Sequence, residues 1–206
     1  MRKTTLGELI ANAVSHGIGA IFGIVALVIM LIKSDGTNEI LSSLAFGVGL
    51  TILYLSSTLF HSFPEKMKRV YSVFQRFDHA SIFILITGTY TTFLVLAVDS
   101  LKGYILLGVL WFLTILGVVF KSIWVSKFHK FHVIIYLIMG WSVLFVMGDV
   151  ISAIETGFVY LLLGGLSYTI GVVFYVVRFK YNHFVWHIFV LVGSMFHFIA
   201  VMGLLI

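Results

Sequence analysis

Asn182-His183-Phe184-Val185-Trp186-His187 opens a hydrophobic run that continues through His197-Phe198 toward Ile206. In hydrocarbon, a run of this length has one stable form. It is a helix that crosses the bilayer, because every backbone N–H and C=O must be satisfied within the segment. His183 and His187 are then i and i+4, on one face and ~6 Å apart along the axis. With that spacing one helix can offer two imidazoles to one metal ion. Polar groups are costly in a membrane helix, so they carry a functional expectation. Taken alone, the pair reads equally as metal ligands or as interfacial packing, and a third ligand has to come from another part of the chain.

Outward from that stretch the composition repeats the message. The chain has 206 residues, 61% of them hydrophobic and only 10% charged. That balance excludes a soluble globular domain and predicts a polytopic membrane protein. Pro64 is the single proline, no segment is of low complexity, and no loop is long enough for a soluble domain. Residues 1–206 are therefore expected to form one membrane domain. With no cysteine there is no disulfide, thiolate ligand or cysteine nucleophile. The apolar run that ends near Ile32 is too long for a signal-peptide core and is expected to be an uncleaved first span.

Seven apolar segments follow, at roughly 13–32, 40–60, 79–98, 104–121, 131–148, 156–177 and 184–206. The predicted fold is an all-α, seven-transmembrane helix bundle. Its connections alternate in charge. One set carries Arg2, Lys3, Lys66, Lys68, Arg69, Arg76, Lys121, Lys127, Lys130, Arg178 and Lys180, eleven of the 13 basic residues. The other set carries Lys33 and Lys102 together with Asp35, Glu39, Asp99, Asp149 and Glu155. The positive-inside rule places the N-terminus in the cytoplasm and the C-terminus outside. The net charge of +5 thus reports topology and contact with anionic lipid, not a nucleic-acid partner.

That topology brings polar residues of several spans to one depth in the inner leaflet. His16 begins the first span, Ser57 and His61 end the second, Asp78 and His79 open the third, and His183 and His187 open the seventh. Ser57 and His61 repeat the i, i+4 spacing, so His61 is the natural third ligand. Three histidines and a water form a tetrahedral zinc site with an open position. Nitrogen ligands suit Zn2+ better than magnesium or calcium, and leave iron or copper open. Asp78 is the expected general base or orienting group for the water, and Ser57 the expected donor to a developing oxyanion. Each has a plainer reading: Ser57 as a helix-packing hydroxyl, and Asp78 as an ion-pair partner of Arg76. His79 reads as a structural group, Asn12 and His16 as either partners behind the metal ligands or helix-packing groups, with packing favoured, and His129 and His132 as interfacial. His197, ten residues beyond His187 and ~15 Å deeper, is too far to share its ion. Gly19-x3-Gly23 fits close helix contact.

Together these motifs resemble the hemolysin III family, within the progestin and adipoQ receptor group. The resemblance runs nearly end to end. It is carried by Asn12-x3-His16-Gly17-Ile18-Gly19, Ser57-x3-His61, Phe77-Asp78-His79-Ala80, Thr87-Gly88-Thr89-Tyr90-Thr91, Met139-Gly140-Trp141, and His183-x2-Trp186-His187 with His197-Phe198. It implies similarity to the adiponectin receptors, whose zinc is held by a second-helix histidine and a seventh-helix H-x3-H pair. In those receptors a third-helix aspartate acts through water. On this chain that pattern falls on His61, His183, His187 and Asp78, with Ser57 four residues before its histidine. The receptors' long N-terminal domain has no counterpart here, so their partner binding is not carried over. The resemblance also implies a link to ceramidase-type amide hydrolases and a bacterial plasma-membrane location.

The function expected is zinc-dependent hydrolysis of a lipid amide at the inner leaflet, with membrane lipid as substrate. Two other classes compete. One is the pore-forming cytolysin that the hemolysin name implies, although no ring of charges or amphipathic strand pattern supports a pore. The other is a sensor of lipids or membrane state without catalysis. Retinal binding is disfavoured, since no lysine lies within the seventh span.

Overall fold

A computed structural model describes residues 4–125, 129–154 and 157–205. Arg2, Lys3, Lys127 and Glu155 of the charge pattern, and Ile206, lie outside the described residues, as do the side chains of His129 and Lys130. The described residues contain no strand. Seven segments are long and apolar enough to cross a membrane: Leu6–Lys33, Thr37–Ser62, Lys68–Val98, Leu101–Ile123, Phe131–Ile154, Gly157–Val176 and Asn182–Leu205. The chain is an all-α, multi-pass membrane protein.

The first span, α1 (Leu6–Lys33), starts seven residues before the apolar run does. Its start is a capping box. Thr5 Oγ1 accepts from the Glu8 backbone N–H at 3.4 Å, and Glu8 Oε2 accepts from the Thr5 N–H at 2.9 Å. Glu8, Asn12, Ser15, His16, Gly19 and Gly23 recur at helical spacing and all face inward, while Ile10, Val14, Ile18, Ile21 and Val28 face outward. In a bilayer this inside-out arrangement is stable, because the apolar face meets lipid and the polar stripe meets protein. Gly19 lies against the ring of Tyr54, and a Cβ on Gly23 would sit 3.1 Å from the Thr51 backbone nitrogen of α2 (Thr37–Ser62). The Gly19-x3-Gly23 motif is therefore a close helix contact.

Two further features differ from the sequence reading for physical reasons. The third span is α3 (Lys68–Phe93), continued by a π-helical turn at Leu94–Val98. It begins eleven residues before the apolar run, because its charged first turns project beyond the hydrocarbon. Asp78 and His79 thus lie well inside a helix instead of opening one. After α4 (Leu101–Ile123), the fifth span is broken where a continuous helix was expected. It consists of α5 (His129–Gly140), a 3-10 turn at Ser142–Val146, and α6 (Met147–Ile154). Tyr90 Oη repairs the break by donating to Gly140 O and accepting from Val143 N–H, both at 2.7 Å. The bundle closes with α7 (Gly157–Val176) packed on α8 (Asn182–Leu205), and α8 also packs on α1.

Candidate metal centre

His61 stands on the last turn of α2, and His183 and His187 on the first two turns of α8. Their ring centroids are 5.0 Å apart for His61 and His183, 5.1 Å for His61 and His187, and 4.6 Å for His183 and His187. One ring nitrogen from each lies within 4.8 Å of the other two. The fold thus brings together the three histidines that spacing and topology selected.

Two observations fit this set to a cation. Among the described residues, His61 Nε2 is buried without a hydrogen-bond partner. Burial without a partner is a costly arrangement for an imidazole that serves only packing. His187 is the most enclosed of the three, and its Nδ1 is 3.2 Å from the Asn12 carbonyl oxygen and 3.1 Å from Ser15 Oγ. A carbonyl only accepts, so Nδ1 carries the hydrogen and Nε2 keeps its lone pair. This is how a backbone carbonyl or similar group fixes the tautomer of a metal-ligating histidine. Three neutral imidazoles are a donor set for zinc or another nitrogen-preferring ion and a poor one for calcium or magnesium.

Helix α1 holds the ligand pair in place. Glu8 Oε1 accepts from the Tyr181 backbone N–H at 2.9 Å, just before α8 begins. Tyr181 itself is in the left-handed region, with φ of 64°. One turn along α1, Asn12 and Ser15 reach His187, and the His16 ring stacks on that of His187 at 3.5 Å and 10°. Asn12 and His16 therefore contact the ligand directly, the less favoured of their two sequence readings. Ser15 was not singled out at all. The signal for it was the polar stripe of α1, which recurs every three to four residues on one face.

Asp78 is not a member of the cluster. Ser57, buried one turn before His61 on α2, lies within reach of its carboxylate. The Asp78 and His79 side chains are 3.4 Å apart, with 16% and 15% of their surfaces exposed. His79 thus sits against the carboxylate, although neighbours on a helix usually diverge. Its Nδ1 is also 2.8 Å from the Gln75 carbonyl, and its own carbonyl accepts from Tyr136 Oη at 2.8 Å. Among the described residues Asp78 forms no ion pair with Arg76; the group set against it is His79. Lys121 was assigned to a loop, yet it lies on α4, only 1% exposed, with Nζ 3.5 Å from Val125 O. His132, expected at the interface, is also buried. His197 is remote from the cluster, against α7, as its depth required.

Beside the cluster, a cavity of about 130 Å³ opens among α2, α3, α5, α7 and α8. Its walls are largely apolar, with Leu53, Ile86, Leu137 and Val172 among them. Tyr175 and Trp186 form the end near the histidines, with the Tyr175 ring 5.7 Å from that of His183.

With this geometry in hand, comparison with known proteins gives a consistent answer. The family model described as haemolysin-III related matches residues 6–198. A hemolysin-3 homolog of Bacillus subtilis (strain 168) is 38% identical over 203 residues, covering 96% of this chain and 94% of that protein. Hemolysin-3 of Bacillus cereus is 38% identical over 200 residues, covering 95% and 90%. The human monocyte to macrophage differentiation factor is 27% identical over 206 residues, covering 97% and 85%. The chain belongs to the haemolysin-III-related family.

Proposed function

We propose that this member of the haemolysin-III-related family is a zinc-dependent hydrolase of a lipid amide, working at the cytoplasmic leaflet. The observation that carries the proposal is the separation of roles. Three imidazoles converge as a ligand set, and Asp78, within reach of Ser57 one turn from His61, stays outside that set. His61, His183 and His187 hold the ion. Zinc supplies Lewis acidity there, which turns water into a nucleophile near neutral pH. Asp78 takes the proton that the attacking water gives up. In the resting protein Ser57 donates to the Asp78 carboxylate. Once Asp78 is protonated, the Ser57 hydrogen is free to turn to the oxyanion of the tetrahedral intermediate. Asn12 and Ser15 keep the His187 ring in its plane. Asp78 then returns that proton to the amide nitrogen as the C–N bond breaks, so the amine leaves neutral and the acid product keeps the oxygen from water. The cavity beyond Tyr175 and Trp186 accepts part of the lipid chain.

The test is release of fatty acid from a ceramide-like amide by the purified protein in liposomes. Asp78→Ala should leave zinc bound and abolish turnover. The two bacterial relatives carry the name hemolysin, so the same liposomes should hold a trapped dye. Dye leakage that survives Asp78→Ala, with no fatty acid released, would replace hydrolysis by a membrane-perturbing function. If neither signal is seen and Asp78→Ala alters only stability, the ion serves structure or sensing.

A further inference from the structure

Two cavities adjoin inside the bundle. The larger, of about 130 Å³, begins at Tyr175 and Trp186 near the histidines. The smaller, of about 60 Å³, has Phe93, Leu94, Met147 and Phe158 among its walls. Six residues border both: Thr89, Tyr90, Gly140, Trp141, Gly165 and His197.

Two of the six are glycines that close packing does not require. Gly165 lies within α7, where glycine weakens a helix relative to alanine. A Cβ at Gly165 would meet open space, and so would one at Gly140, where α5 ends. Gly164 is the opposite case, because a Cβ there would collide with the His197 ring. The unfilled positions thus fall where the two cavities meet.

The walls define the occupant. Among the described residues, no Asp, Glu, Lys or Arg lines either cavity, so a charged group would be buried without a counter-charge. The hydroxyls of Thr89, Tyr90, Tyr136, Tyr168 and Thr169 and the indole N–H of Trp141 already bond to protein, at 2.7 to 3.0 Å. An alkyl chain needs no partner. His197 is eleven residues beyond Trp186 on α8, which puts the junction ~16 Å from the near end. An extended chain covers ~1.2 Å per bond, as the backbone's ~3.6 Å per three bonds shows, so about 13 bonds reach the junction.

We infer that the two cavities are one path for the acyl chain of the lipid amide, with Gly140 and Gly165 as a neck that long chains thread and short chains do not reach. Gly165 is then a residue that sets chain-length specificity. The inference rests on the reading of the histidine cluster as the seat of the amide.

The experiment measures binding of N-octanoyl and N-octadecanoyl sphingosine, by displacement of a radiolabelled octadecanoyl amide from the full chain in detergent micelles. The protein carries Asp78→Ala, so that no amide is consumed. Adding Gly165→Leu should weaken binding of the octadecanoyl amide by about tenfold or more, as overfilling a packed site does, and leave the octanoyl amide within about twofold. Gly108→Leu adds the same side chain at an open position that borders neither cavity, and should change neither affinity. A second readout does not depend on how the Gly165 variant folds. With Gly165 intact, an octadecanoyl amide bearing a diazirine at its methyl end should label Met147, Phe158 or Leu161, and excess unlabelled octadecanoyl amide should suppress the label. An unweakened octadecanoyl amide, equal losses for both chain lengths, or labelling that misses the smaller cavity would overturn the inference. Fatty-acid release by protein with Asp78 intact separates this inference from the hydrolase reading. Release without any chain-length effect of Gly165→Leu would leave hydrolysis standing and overturn the neck. A chain-length effect on binding with no release would support the neck and remove hydrolysis.

Discussion

Ser15→Ala tests whether α1 orients a metal ligand or merely packs beside it. Ser15 Oγ donates to the Asn12 carbonyl at 3.0 Å and lies 3.1 Å from His187 Nδ1. Deleting it leaves the Asn12 carbonyl, at 3.2 Å, as the remaining acceptor for that nitrogen. Losing an outer partner of a metal-bound histidine typically weakens metal binding by about 10- to 100-fold. One of two partners survives here, so the expected loss is about tenfold, or about 1.4 kcal/mol. Zinc affinity is read by competition with a chromophoric chelator, using purified protein in detergent. Ser152→Ala is the control, since that exposed hydroxyl only bonds back to Gly148 within its own helix, and its affinity should match wild type. The metal-free melting temperature should move little in either variant, which separates a positioning effect from a folding defect. An unchanged zinc affinity in Ser15→Ala, beside loss of binding in His187→Ala, would refute the reasoning. The His16 stack would then be what holds the ring.

Purified protein should carry about one zinc per chain, as one three-histidine site requires, and His61→Ala, His183→Ala and His187→Ala should each remove most of it while His197→Ala should not; metal analysis of the four variants decides this. Chelation should lower the melting temperature of wild type, by an amount that vanishes in His187→Ala, because an ion bound only by the folded state at a thousandfold excess over Kd contributes about 4 kcal/mol. Gly88→Ala should destabilise by about 1–3 kcal/mol, since its new Cβ would collide with the Ala45 carbonyl of α2, whereas Gly108→Ala, with open space around it, should be near neutral in thermal unfolding. A reporter fused after Ile206 should read outside the cytoplasm and one inserted after Glu65 inside; the reverse would break the orientation drawn from the charge split.

The fold was legible because hydrophobic runs of span length have few alternatives in lipid, and all seven runs correspond to spans. Their ends were less legible, for reasons that differ by helix. The start of α1 is written in Thr5 and Glu8, a cap signature outside the apolar run. The start of α3 is hidden by Lys68, Arg69 and Arg76, which look like a loop but ride a helix that outruns the hydrocarbon. The break at Gly140–Trp141 depends on the Tyr90 hydroxyl from another span, which no local pattern reveals. In the site, His61, His183 and His187 could be found because i, i+4 spacing and topology both constrain them. The contact between Asp78 and His79 could not, because it depends on side-chain rotation. Nor could Lys121, whose charge argued for a loop and whose burial depends on the helices around it.

The remaining question is whether an ion at this place is a fastener or a reagent, and coordination number bears on it. Hydrophobicity gives little force between helices in lipid, so polar joints matter for assembly. The histidine cluster is such a joint, linking α2 to α8 where α1 already clamps the chain through Glu8 and Ser15. An ion there would strengthen the bundle under either reading. A structural zinc site, however, is usually closed by a fourth protein ligand. Among the described residues the ligand group has three members, and the Asp78 carboxylate is set against His79 instead. A fastener has no use for a mostly buried carboxylate kept outside its ligand set. A reagent needs both a position open to water and a base next to it. That combination favours hydrolysis, and it makes Asp78 the residue at which stability and activity should separate.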